Sequence, residues 1–370
     1  MVQNRCECGG TLLVRYDLDT ADLPAMRARP SGMWRYAELI PLMGDPISLG
    51  EGPTPLLFAP RLSERLGTEV FVKDESPLPS GTFKARGAAV GLSRARELGV
   101  KEVVMPSAGN AGGAWALYAA RAGMDLTVVM SRNAPMMNQV EVRAAGATLE
   151  LVPGSIADAG QRAKEIADAT SAFFAATFSE PYRVEGKKMA WLETFDQLGD
   201  AATMHIPPTI VTPVGGGVAA IAAAKAADEA RALGWTDDAL PRLVSVQPED
   251  CAPIVRAFER GDNDVQPWRE ETTTIASGLR VPEPSEGWLV LERVRASNGR
   301  MLAASETDIL DAVGTMAADE GILPCPEGAA ALVAAQQLAA DGDLQGPVVL
   351  YNTGAGAKYA SELARVGVYA

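Results

Sequence analysis

Histidine occurs once in this sequence, at His205 in MHIPP. Ser-His-Asp and Cys-His hydrolase chemistry, and His-rich metal catalysis, would all have to rest on that one residue. Beside two prolines it reads as a surface-loop residue, and those classes are set aside. Cysteine is nearly as sparse: Cys6, Cys8, Cys251 and Cys325 in 370 residues. That is too few for a disulfide framework. Cys6 and Cys8, in CECGG, would supply half of a four-ligand zinc site, and no second pair follows nearby. The expectation there is a structural turn and no metal. Long apolar runs are missing too. The longest, 212–224, contains one proline and three glycines and stops at Lys225, so it falls short of a bilayer span. The opening MVQNRCECGG has no signal-peptide core. Positive charge is short as well. A formal net charge of −14 argues against a nucleic-acid surface, while leaving room for one local basic pocket. These absences predict a soluble, cytoplasmic protein with no membrane or nucleic-acid partner.

What is present is apolar sequence in a regular layout. Hydrophobic residues make up 47% of the chain, ample for two lobes. KEVVMP (101–106) reads as a buried strand, followed by an alanine-rich helix over 111–122 that ends at Gly123. The alternation continues with strands at 125–130, 148–152 and 172–176 and helices at 135–145 and 156–169. Glycine follows two of these helices, where a left-handed cap suits it. A second series has strands at 209–213, 243–246 and 347–352, with helices at 218–233, 252–260, 307–319 and 327–340. Strands alternating with helices mean βαβ units. The fold class expected is α/β: two open parallel-sheet lobes with helices on both faces and a ligand cleft between them. Residues 261–286, rich in Asp, Pro and Trp, read as a mobile surface loop.

Ligands in open α/β sheets bind at the carboxyl ends of strands. Four polar or glycine-rich turns fall at such places. PSGTFKARGA (79–88) follows the strand-like VFVK and opens a helix; SAGNAGGA (107–114) follows KEVVMP. TPVGGGVAA (212–220) and YNTGAGAKY (351–359) follow two later strands. Gly215, Gly216 and Gly217 leave backbone N–H groups free at a helix start, which makes a phosphate cradle. They are neither a Walker loop nor a dinucleotide fingerprint. Taken alone they serve equally well as a tight turn.

In this order, across two lobes, the four turns resemble the fold-type-II enzymes dependent on pyridoxal 5′-phosphate, the tryptophan-synthase-β group. CGGTLLVRYDL, EGPTPL (51–56), EPYRVEGKK (180–188) and TGAGAKY are most similar to the threonine synthases of that group. The resemblance implies that Lys84 forms the internal Schiff base with the cofactor. It implies that Asn110 bonds the cofactor's phenolic oxygen, that Val214 and Gly215–Gly217 hold its phosphate, and that Thr353 faces its pyridine nitrogen. A lysine that must lose its charge needs a desolvated place, which Phe83 and the lobe interface would provide. The implied reaction turns O-phospho-L-homoserine and water into L-threonine and phosphate. Arg183 and Lys187 would bind the substrate's phosphate; Ser107 and Gly109 would hold its α-carboxylate. Glu327 is a helix-start residue or a wall of the site. The implied division is a small mobile domain over 86–185, carrying the asparagine loop, and a large domain of 1–85 and 186–370. A homodimer is the implied assembly.

Two features depart from the threonine synthase pattern. Ala108 and Ala111 stand where hydroxyl residues flank the asparagine, and GGGVA replaces a GNxGN loop. Both point to an alternative on the same scaffold, a dehydratase or β-replacement enzyme acting on a hydroxy- or O-activated amino acid.

Overall fold

A computed structural model describes residues 3–365. Among the described residues, ten strands form two sheets. The strands are β1 (Leu56–Phe58), β2 (Val70–Asp74), β3 (Glu102–Ser107), β4 (Asp125–Ser131) and β5 (Thr148–Val152). They continue as β6 (Phe173–Phe174), β7 (Thr209–Pro213), β8 (Arg242–Pro248), β9 (Arg300–Ala304) and β10 (Val348–Asn352). The larger sheet runs β1-β2-β10-β7-β8-β9 and the smaller β5-β4-β3-β6. Every pairing is parallel except β1 with β2.

Both faces of each sheet are covered, and the side chains of the central strands sort accordingly. In β10, Val348 and Leu350 pack towards helices Glu306–Glu320 and Pro326–Ala340, while Val349 and Tyr351 join the main core on the other face. In β3, Val103 and Met105 face that main core, and Val104 faces helix Ile156–Thr170. A strand apolar at every position is what two-sided burial requires. The expected two-sided α/β architecture is therefore present.

One expectation needs correction in part. Residues 261–286 do lack strands, apart from the single turn Ser277–Leu279. The stretch 261–273 is exposed or half-buried, as expected, but 274–286 is not a surface loop, since Thr274, Ala276, Ser277, Leu279 and Glu286 are buried. Glu306 accepts hydrogen bonds from the Thr274 hydroxyl and the Ile275 amide, both at 2.8 Å, and so pins the segment. EPYRVEGKK buries its charges. It forms the first turns of helix Tyr182–Leu198, and Arg183, Glu185, Lys187 and Lys188 are all buried.

The N-terminal segment packs on the main core through Leu23, Met26, Met33, Tyr36 and Leu39. Arg27 and Arg35 both reach Asp196, at 2.7 and 3.1 Å. Near Cys6 the chain makes a tight turn closed by Cys6 N–H to Gly10 O and Gly9 N–H to Cys6 O. The His205 side chain is half-exposed and pairs with Asp238 at 3.1 Å. No helix among the described residues is long and apolar enough to cross a membrane.

Candidate active site

The carboxyl ends of β3, β7 and β10 open on one cavity of about 630 Å³. Lys84, Ser107, Gly109, Asn110, Arg183, Lys187, Gly215, Gly216, Gly217 and Thr353 all line it. Val214 sits behind the wall: its N–H is spent on Val246 O at 2.8 Å and it has almost no exposed surface.

Lys84 is the first residue of helix Lys84–Glu97, and the turn before it is stitched to the end of β10. Phe83 N–H donates to Thr353 O and Ala355 N–H to Gly81 O, both at 2.9 Å. The strand end and the lysine turn thus hold each other in register. The Lys84 side chain opens only into the cavity, and its amine has no hydrogen-bond partner among the described residues. Burial lowers its proton affinity; Glu327 opposes that and Arg183 adds to it, leaving a pKa of about 8. The Nζ atom lies 4.1 Å from the Phe83 ring centroid.

Lys187 comes from the facing helix, and its Nζ lies 4.9 Å from the same ring centroid. It is buried, with no hydrogen-bond partner among the described residues. Burial, reinforced by Lys84 and Arg183 and opposed by Glu180, lowers its proton affinity well below the ordinary lysine value. Arg183 is more committed. Its guanidinium pairs with Glu180, donates to Ala175 O at 2.5 Å and Thr177 Oγ1 at 3.3 Å, and lies over Trp115. Lys188 faces away from the cavity, towards Glu185 and Glu229.

The asparagine loop depends on Gly109. Its φ of +155°, and the Asn138 Nδ2 atom that any added Cβ would strike, leave no room for a side chain. Ser107 is used to build the same loop. Its hydroxyl accepts from the N–H groups of Gly109 at 3.0 Å and Gly112 at 2.8 Å. Asn110 Nδ2 donates to the Tyr359 hydroxyl at 2.8 Å, while its Oδ1 is buried with no partner.

The three glycines differ in what excludes a side chain. A Cβ on Gly215 would stand 2.5 Å from Gly278 O, and one on Gly217, at φ +93°, would strike Val290 Cγ2. On Gly216 it would meet only Thr177 Cγ2 at 3.5 Å. No protein acceptor among the described residues takes the amides of Gly215, Gly216 or Gly217. Free amides at a helix start are what a phosphate group needs. A desolvated lysine without a partner among the described residues, free amides at a helix start, and an asparagine amide with one N–H left to donate together fit a phosphorylated aldehyde cofactor. The sequence matches the family described as "Pyridoxal-phosphate dependent enzyme" over residues 47–354. The chain belongs to that family.

Among curated relatives, the threonine synthase of Methanocaldococcus jannaschii is 32% identical over 95% of this chain and 88% of its own length. That of Mycobacterium leprae is 32% identical over 82% of this chain and 81% of its own. Among solved structures, a bacterial threonine deaminase (T.th.) superposes with a TM-score of 0.67 at 27% identity, covering 81% of this chain and 92% of that one. Maize serine racemase, at 24% identity and TM-score 0.68 over 85% of this chain and 92% of that one, shares the fold. The cofactor is thus pyridoxal 5′-phosphate, and the protein is an enzyme of elimination and replacement chemistry.

Three residues of the site escaped the sequence reading or received no role from it. Tyr359 stood at the end of a quoted motif with nothing to mark its contact with Asn110. Cys325 is buried, with its Sγ 3.2 Å from Thr353 Oγ1. Glu327 Oε1 accepts from Gly278 N–H at 2.7 Å and the Tyr359 hydroxyl at 2.6 Å, and its Oε2 is buried without a partner. Its place at the start of helix Pro326–Ala340 was the available signal.

Proposed function

We propose that the protein is a threonine synthase acting on O-phospho-L-homoserine. Lys187 carries this reading. The glycine amides already offer a seat for the cofactor's phosphate, yet a second buried amine, with no hydrogen-bond partner among the described residues to stabilise its charged form, faces the same cavity. A buried amine is costly unless an anion meets it. A substrate bearing its own phosphate ester supplies that anion, and the threonine synthase of Methanocaldococcus jannaschii matches over 95% of this chain.

Bound cofactor supplies the electron sink that lets protons leave the substrate's α and β carbons. Lys84 Nζ would hold the cofactor, and once freed its amine would take the α proton and later a β proton. The amides of Gly215–Gly217 would hold the cofactor's phosphate, Asn110 its phenolic oxygen and Thr353 its ring nitrogen. Thr353 offers a hydroxyl, which does not force that nitrogen to stay protonated. Lys187 binds the substrate phosphate, with Arg183 adding positive field from its fixed place. The Asn-loop amides near Gly109, shaped by Ser107, receive the α-carboxylate. The phosphate group leaves Cγ with the bonding pair, the oxygen of water adds at Cβ, and protons return to Cγ and Cα. Residues 86–185 form the smaller domain that closes on substrate. The enzyme works as a cytoplasmic homodimer, which light scattering on the purified protein checks.

Ala108 and Ala111 line the cavity without hydroxyls, which favours a second reading, dehydration of threonine or serine. Purified protein with added pyridoxal phosphate is assayed on O-phosphohomoserine, threonine, serine and O-phosphoserine. Phosphate release with matching threonine supports the first reading; a keto acid from threonine or serine, with phosphohomoserine inert, replaces it by the second.

A further inference from the structure

Tyr359 belongs to the turn Gly356–Tyr359 and is buried. That turn is fixed from two sides: Gly354 O accepts from Cys325 N–H at 2.9 Å, and Gly356 N–H donates to Leu323 O at 3.0 Å. The Tyr359 oxygen lies 2.6 Å from Glu327 Oε1 and 2.8 Å from Asn110 Nδ2. Glu327 Oε1 already accepts a backbone N–H from Gly278, so it acts as an acceptor towards Tyr359 too. Burial and the facing Glu327 carboxylate push the Tyr359 proton affinity well above the ordinary phenol value. The phenol therefore keeps its proton and spends it on Glu327.

This decides which way the Asn110 amide points. A phenol whose one hydrogen is committed to Glu327 has only lone pairs left for Asn110. Turned over, the amide would set its carbonyl oxygen against those lone pairs. In the observed orientation Nδ2 spends one hydrogen on Tyr359 and keeps the second. The carbonyl Oδ1 is sealed from solvent, so the polar edge that Asn110 shows the cavity is the donor edge.

We propose that Tyr359, held by Glu327, is a positioning residue that fixes the Asn110 amide with a free N–H towards the cofactor's phenolic oxygen. The inference rests on the role given above to Asn110. Asn110 opens the helix after β3, whereas Tyr359 and Glu327 follow β10 and open helix Pro326–Ala340. The contact therefore ties the asparagine loop to the rigid end of the larger sheet.

The readout is the visible absorption of holoenzyme, whose band changes as the nitrogen linking Lys84 to the cofactor loses its proton. The charged or titratable groups facing Lys84 are Glu327, Arg183, Cys325 and Lys187. A donor lost from the phenolic oxygen leaves more negative charge there, which holds the neighbouring proton more firmly. Tyr359→Phe and Asn110→Ala should each raise the titration midpoint by roughly one pH unit. The double variant should rise no further than Asn110→Ala alone, because both changes remove one interaction.

A shift in Asn110→Ala with none in Tyr359→Phe, or additive shifts in the double variant, overturns the inference. No shift in Asn110→Ala overturns the role of Asn110 itself, and the inference with it. If circular dichroism shows Tyr359→Phe unfolded, Glu327→Gln is titrated with and without Asn110→Ala. Its direct effect on the Lys84 charge is common to both backgrounds. Unequal shifts support the relay through Asn110, and equal shifts overturn it.

Discussion

A lysine amine must be neutral to attack an aldehyde, so in the role proposed for Lys84 its environment sets when the cofactor can attach. Its pKa of about 8 predicts that cofactor uptake by apoenzyme quickens about tenfold per pH unit below that value and levels off above it. Stopped-flow growth of the visible band against pH measures this; a midpoint near the ordinary lysine value would contradict the burial argument. Lys84→Ala should abolish the band and lower turnover by at least ~10²–10⁴-fold, the usual worth of a positioned acid-base group. Lys187 makes a different forecast because its proposed ligand is the substrate and not the cofactor. Lys187→Met should leave the visible band intact and lower kcat/KM for phosphohomoserine by roughly 10–100-fold, the worth of a charge-assisted hydrogen bond. Initial rates over a range of substrate concentrations give the value. Lys84 was legible from its motif. Lys187 was singled out as a phosphate-binding candidate from its motif, but that no described residue partners its amine is a fact of three dimensions.

At the scale of elements, the glycine turn after β7 separates packing from ligand contact. Gly215 and Gly217 are closed off by Gly278 O and Val290, so a methyl group there disturbs the fold. Gly216 meets only Thr177 Cγ2 at 3.5 Å. Gly216→Ala should therefore leave the apoenzyme's melting temperature close to the parent's. It should weaken pyridoxal phosphate about tenfold by crowding the amides, a loss of ~1.4 kcal/mol. Equilibrium dialysis beside a melting curve tests both halves. The strands and helices from 101 to 260 were readable because each is apolar at the period its structure requires. Helix Tyr182–Leu198 was not, because its buried faces carry charge. Glu185 and Lys188 meet Tyr16, Lys225 and Glu229, while Glu193 meets Arg86 and Lys73. Hydrophobic periodicity registers such residues as surface, and their partners lie far away in sequence. The stretch 274–286 misled for a related reason: its irregular backbone is held against Glu306 and Glu327, which no local pattern announces.

At the scale of the whole molecule, the region behind the lysine turn is joined by a buried ionic cluster. Arg86, two residues beyond Lys84, binds Glu75 from the end of β2 at 2.6 Å and Glu193 at 2.6 Å. Lys73 lies 3.3 Å from Glu193 and donates to Thr54 O at 2.9 Å. Burial alone would raise the Glu193 pKa, but Arg86 and Lys73 outweigh it and hold the carboxyl down to about 2. A carboxylate depressed in the folded state contributes stability above its unfolded value. That contribution fades as pH falls from about 4.5 towards 2. Chemical denaturation across this window should show stability dropping, with a shallower drop in Glu193→Gln. At neutral pH the same substitution should cost ~3–5 kcal/mol, because it leaves Arg86 and Lys73 buried with less compensation.

The sequence by itself determined the α/β class, the order of most strands and helices, and the four turns that mark the cofactor site. These follow from local rules: the periods of burial, the freedom of glycine, and the unpaired amides of a helix start. Only the tertiary structure decided how the residues of those turns are used. It committed Ser107 to shaping its own loop and locked Arg183 against Glu180. It left Lys187 without a partner and brought Tyr359 and Glu327 to Asn110 across 249 and 217 residues of chain, respectively. Which hydrogen bonds are already spent, and which buried charges remain unmet, depends on neighbours distant in sequence, and only the folded chain brings them together.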